Sequence, residues 1–355
     1  MRRLAFVVAI LLFLLSPVTA SAEPQDYIDD FGEALPDGLP FDPESPESLS
    51  RAVGFEAILI EIAAILEDKG AELLSFLLTL VGIATLAALG RSVDAELRPT
   101  VSAAISAVSA VTVASRVLPV ISAVGSAMGE ISDFFGSLIP IFSGITLAGG
   151  GVSTATVSAA GMSVSLAVIE SFSTRVLSLS VVLLFILGML SDLGGVSGGL
   201  LRGTRNLFTR GIGIVCFLFG TVLALQTVIS GASDSAMMRT ARFAASSTIP
   251  VVGNTVGSAI GTLAAGLSYV KGITGSSAIA AILWISLSPV LLLLIYRFIL
   301  SFTVSFLGFL DTGRGISCFS AMLTALDALI AVFCMSTLVY IFQIVLFIKS
   351  GVALL

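Results

Sequence analysis

The sequence predicts an all-α, polytopic membrane helical bundle of about 7–8 spanning or re-entrant helices behind an N-terminal signal peptide. Three observations predict it. Of 355 residues, 56% are hydrophobic and only 11% are charged, with a mean hydropathy of +1.09, where soluble proteins carry about 25% charged residues. Uncharged apolar runs recur along the chain at lengths near the ~20 residues that a spanning helix needs. The charges are also segregated: residues 23–72 hold 14 of the 23 acidic residues and only two basic ones, Arg51 and Lys69, whereas residues 91–355 hold 13 basic and nine acidic residues.

Residues 1–22 read as a signal peptide. Arg2 and Arg3 form its basic region, Leu4–Leu15 its apolar core, and Ala20-Ser21-Ala22 the cleavage site. The rival reading is an uncleaved anchor, disfavoured because a 12-residue core is short for a span. Cleavage leaves the mature N-terminus outside the cytoplasm. Residues 23–72 form an acidic extracytoplasmic segment. Its first part, Glu23–Ser50, is Pro-rich and is expected to be loosely structured. From Ala52 to Glu72, apolar residues alternate with Glu56, Glu61, Glu67, Asp68 and Glu72, which predicts an amphipathic helix entering the membrane.

Residues 73–355 form the multipass domain. Leu73–Gly90 is the first span, and Arg91 and Arg98 place its end in the cytoplasm by the positive-inside tendency. Val101–Gly125 is the second. Ser102, Ser106, Ala110 and Ala114 line one face of it, so it is expected in the bundle interior, with Arg116 near an interface or turned toward protein. Glu130 and Asp133 are expected in a short outer loop. Phe134–Ile169 is apolar but broken by Gly149-Gly150-Gly151, which fits two short spans or a re-entrant hairpin. Val176–Leu190 and Gly211–Ile229 are further spans, and Ser191–Arg210 between them, with Arg202, Arg205 and Arg210, is a cytoplasmic loop.

Residues 239–275 are the most distinctive stretch. Gly253, Gly257, Gly261 and Ala265 recur every four residues and form a stripe of small side chains on a helix, a face suited to close helix packing or a subunit contact. Packing is the commoner use of such a stripe, and pore lining the alternative. Arg239, Arg242, Phe243 and Pro250 precede it, and with Lys271 they place basic residues on the side that the topology makes extracytoplasmic. A protein-covered or re-entrant helix accommodates this better than a free loop.

Residues 279–348 form a C-terminal helical hairpin. Its arms, Ile279–Leu310 and Ile316–Ile348, are joined by Asp311-Thr312-Gly313-Arg314-Gly315, and each arm holds one charge, Arg297 or Asp327. Arg297 lies 16 residues before Gly313 and Asp327 lies 14 after it, so an antiparallel hairpin brings them to the same height. They form either an intramembrane pair or an interfacial one. Pro289 is expected to kink the first arm.

The residue inventory speaks against catalysis. The chain has no histidine, which removes His-based metal sites, general bases and Ser-His or Cys-His pairs. Cys216, Cys318 and Cys334 lie in apolar runs without metal-ligand spacing, and no phosphate-binding glycine loop with its lysine is present. Neither a cofactor nor a nucleic-acid partner is expected, and membrane lipid is.

The runs RTARFAASSTIPVVG (Arg239–Gly253), RNLFTRGIGIVCFLFGTVLALQ (Arg205–Gln226) and LDTGRGISCFSAMLTALDALIAVF resemble stage III sporulation protein AE of endospore-forming bacteria. The resemblance covers roughly residues 70–350. It implies a multipass protein of the mother-cell membrane surrounding the forespore, within a secretion-like channel complex. Its implied partners are a secretion-type ATPase, ring-forming proteins and a forespore protein, and its implied role is to sustain late forespore gene expression. The resemblance carries no catalytic residues. A stand-alone secondary transporter is the alternative, with Arg116, Glu170, Arg297 and Asp327 as its few polar candidates; a structural scaffold is a third.

Overall fold

Helices of unequal length make up the structure, a computed structural model of the chain. It describes residues 24–36, 54–92, 94, 96–149, 151–172, 253–310 and 316–350, with isolated positions at 39, 48 and between 183 and 221. Among these residues the helices are α1 (Pro24–Ala34), α2 (Phe55–Leu89), α3 (Arg98–Ala148), α4 (Val152–Phe172), α5 (Gly253–Phe309) and α6 (Ile316–Ser350), with a 3₁₀ turn at Gly90–Ser92 and no strand. Five of them, α2 to α6, are long and apolar enough to cross a membrane.

That number differs from the expected 7–8. The signal peptide lies outside the described residues, as do the predicted spans Val176–Leu190 and Gly211–Ile229 apart from isolated helical positions. Within the described part, neighbouring expected segments fuse. Glu130 and Asp133 occupy no loop: α3 runs 51 residues through both. Their carboxylates are exposed on the helix, and an exposed acid carries no helix-breaking signal, so charge alone was a poor reason to expect a turn. Pro119 and Pro140 are both accommodated within α3. The expected boundary between residues 239–275 and the C-terminal hairpin is likewise absent, because α5 runs unbroken for 57 residues from Gly253 through Pro289. Gly272 and Gly275 are helical within it.

Glu23–Ser50 is not loosely structured throughout. Pro24–Ala34 is helical, with Pro24 at its start and Phe31 only 2% exposed. The proline count had masked the local pattern, since proline at a first helical position favours helix. α2 unites the predicted amphipathic segment with the first span. Glu56 stands in its first turn, and it ends at Gly90, whose N–H donates to the carbonyls of Ala88 and Leu86.

The break at Gly149–Gly151 is real and makes a helical hairpin. The Gly149 N–H donates to the Ile145 carbonyl at 3.2 Å, the Gly151 N–H to Thr146 at 3.0 Å, and α4 starts at once with the Ala155 N–H on Gly151. These bonds satisfy carbonyls that the end of α3 would otherwise leave open. Gly136 faces Leu166 across the hairpin, so α4 folds back antiparallel along the last turns of α3.

The remaining registers follow from single contacts. Gly90 lies against Val101 and Ile105, and Glu72 reaches Arg116, so α2 and α3 are antiparallel. Gly275 meets Ile348 and Arg297 meets Asp327, so α5 and α6 are antiparallel. Ser132 bonds Tyr340 while Phe142 stacks on Phe347, so α3 and α6 are parallel. One end of the bundle therefore collects Gly90–Ser92, the start of α3, the end of α5 and the start of α6. We call this the turn end. The other holds the Gly149 break, the end of α6 and, beside Ser137 and Pro140 of α3, helix α1. One continuous apolar core runs the length between them, including Leu80, Val117, Phe135, Leu300, Phe333 and Ile344.

Candidate functional site

Cross-helix polar contacts concentrate at two levels. The first lies at mid-length. The Arg297 Nε donates to the Asp327 carboxylate, joining α5 to α6 as the hairpin register predicted. Both side chains remain partly open, at 44% and 40% exposure. A second ion pair lies at the same height: the Arg116 guanidinium donates to Glu72 Oε1 at 2.8 Å, joining α3 to α2, with exposures of 39% and 48%. Between the pairs stands Tyr296, 3% exposed, its ring centroid 5.6 Å from that of Phe76, one turn beyond Glu72. Four helices thus meet in one belt of two neutralised charge pairs and a buried tyrosine.

Sequence reasoning found the first pair and missed the second. From the sequence, Arg116 falls near an interface or turned toward protein, and Glu72 is one of several acids on an amphipathic helix. The signal was present. Glu72 is 18 residues before Gly90 and Arg116 is 18 after Arg98, the same symmetry about a turn that brought Arg297 to Asp327.

The second level lies toward the Gly149 break. Ser132 and Tyr340 share a hydrogen bond at 3.0 Å, and Tyr340 packs on Phe135 at 4.4 Å. The Gln343 amide donates to the Ser165 hydroxyl at 2.8 Å, both fully buried, tying α6 to α4. Lys271, only 5% exposed, holds its ammonium 4.7 Å from the centroid of the Phe347 ring, which stacks on Phe142 at 3.8 Å. One turn on, α5 and α6 approach so closely that a Cβ on Gly275 would sit 2.6 Å from Ile348 Cδ1. This is where a small residue is needed in the described part of α5.

The predicted stripe is only partly visible. Gly253, Gly257 and Gly261 are helical residues of α5, but their surroundings lie outside the described residues, as do Arg239, Arg242, Phe243 and Pro250. Ala265, the last of the stripe, is exposed, while Leu267 packs against the core and Val270 is buried within it. The second small-residue face does turn inward: Ser106 is 3% exposed and Ala110 1%. Among the described residues no group of three His, Cys, Asp or Glu side chains could hold a metal ion. Cys334 is a free, half-buried thiol.

The long apolar helices and the two sets of interhelical bonds describe a packed membrane bundle; its sequence family is decided by comparison. The family model for stage III sporulation protein AE matches residues 48–351. The chain belongs to that family. The match begins near the start of α2, earlier than the residue-70 limit of the resemblance, so the acidic half of α2 is part of the family's shared region. No curated protein and no solved structure matches the chain.

Proposed function

We propose that this family member is a membrane subunit of a multiprotein channel between mother cell and forespore, required for late forespore gene expression and spore development. The observation that carries the reading is the match to a stage III sporulation family over residues 48–351, joined to helices that suit a membrane. Its partners in this reading are a secretion-type ATPase, ring-forming proteins and a forespore protein, and it performs no catalysis itself.

The subunit contact in this reading is the stripe Gly253, Gly257, Gly261 and Ala265, with Arg239, Arg242, Phe243 and Pro250 before it. The exposure of Ala265 supports it, since a small exposed residue lets a neighbouring helix approach closely. Affinity purification of the tagged full-length protein from sporulating cells is the test. Recovery of the ATPase and ring proteins, lost on Gly257→Leu or Gly261→Leu, is the expected result. Substrate-dependent flux by the purified protein alone in liposomes would instead establish a stand-alone secondary transporter.

A further inference from the structure

The long helices exceed any bilayer. At 1.5 Å per residue, α3 reaches ~77 Å and α5 ~86 Å, against a hydrocarbon core of ~30 Å. Because they pack side by side in one core, only part of their length can lie in lipid, and the charges indicate which part. Between the turn end and the mid-length belt, residues 73–89 of α2, 99–115 of α3, 298–309 of α5 and 316–326 of α6 contain no Asp, Glu, Lys or Arg. Beyond the belt the described surface changes. Glu56, Glu67, Asp68, Glu130, Asp133 and Glu170 are all exposed there, and α1 adds exposed Asp29, Asp30 and Glu33 beside Ser137 of α3.

We propose that the bilayer covers only the turn-side half of this bundle, with the level of the two ion pairs as its outer boundary. The Gly149-side half, α4 included, stands outside lipid. Each carboxylate forced to a helix centre in lipid would cost about 2.5–3.5 kcal/mol even on the mildest scale, so six exposed ones outweigh the apolar composition of α4 and of the far halves of α5 and α6. The uncharged half of α2 and of α3 measures ~26 Å, close to the thickness needed. In α5 and α6 the Arg297–Asp327 pair, ~18 Å of helix from the turn end, stands at that same level and meets the boundary as a neutral pair, with the arginine able to extend outward. Arg91 and Arg98 at the opposite edge place the turn end on the cytoplasmic side, and the far half outside the cytoplasm.

The test uses the full-length chain with Cys216, Cys318 and Cys334 changed to serine and one cysteine returned at an exposed apolar position. Leu78, Val108 and Phe302 represent the turn-side half, and Val164, Leu338 and Phe342 the far half. Each variant is labelled with bimane and reconstituted into phosphatidylcholine–phosphatidylglycerol vesicles containing lipid with a nitroxide on the acyl chain. Expected is loss of most fluorescence at the first three positions and little at the last three. Acyl-chain quenching at Val164, Leu338 and Phe342 equal to that at Leu78 overturns the proposal, as does absence of quenching at all six. In spheroplasts, a membrane-impermeant maleimide distinguishes water from a protein cover at the far positions. Both of those outcomes, with lipid quenching absent, support the proposal, the second identifying that apolar surface as a subunit interface.

Discussion

The two halves of this bundle are built from the same long helices but differ in what their surfaces tolerate. On the turn side, exposed Leu78, Leu86, Val108 and Phe302 are accompanied by no charge. On the Gly149 side, exposed Val164, Leu338 and Phe342 share the surface with carboxylates on α2, α3 and α4. The interiors differ as well. Near the break the core holds Lys271, Gln343, Ser165, Thr146 and Thr154, whereas the buried polar side chains of the turn-side half are the small hydroxyls of Ser106, Ser109 and Thr303. Uniform hydropathy along a helix therefore conceals two different solvents.

The sharpest way to break the comparison is to add a charge to each half. Leu78→Asp is expected to destabilise membrane insertion by about 3 kcal/mol and to deplete the protein from the membrane fraction, read by quantitative immunoblot. Leu338→Asp, equally exposed in the chain, is expected to leave that level unchanged. Equal depletion would erase the distinction between the halves.

Next in size is the close approach at Gly275. Gly275→Ala places a methyl against Ile348 and is expected to cost about 1–3 kcal/mol by overpacking, seen as a lower Tm in detergent. Gly272→Ala, one turn before with open space at its Cβ, should hold or slightly raise the Tm, since alanine favours helix by up to about 1 kcal/mol.

The belt gives the smaller effects. Asp327→Asn leaves Arg297 without its counter-charge in an otherwise apolar hairpin and is expected to lower stability by about 1–2 kcal/mol; exchanging the two residues, Arg297→Asp with Asp327→Arg, should restore part of it. Glu72→Gln should cost less than about 1 kcal/mol, because that pair adjoins the carboxylate-bearing surface and behaves as an exposed ion pair. Thermal melts of the three variants check both. A larger loss at Glu72 than at Asp327 would show that the carboxylate-bearing surface beside Glu72 does not weaken its pair.

Much of this was legible in the chain itself. Composition and run length determined a helical membrane protein, the turn at residues 311–315 with its flanking runs determined the C-terminal hairpin, and the equal spacing about it determined that Arg297 meets Asp327. These are local or symmetric properties, fixed by side-chain hydropathy, by turn residues and by the constant rise of a helix. Tertiary structure alone decided that Glu130 and Asp133 lie within one helix, that residues 253–309 form another, that α1 docks its Phe31, and that Lys271 rests on Phe347. The reason is that exposed acids, glycines and prolines are compatible with both helix and turn, and packing against neighbours selects between them. The Glu72–Arg116 pair falls between the two cases: its spacing was in the sequence, but only the antiparallel contact of α2 with α3 gave that spacing a meaning.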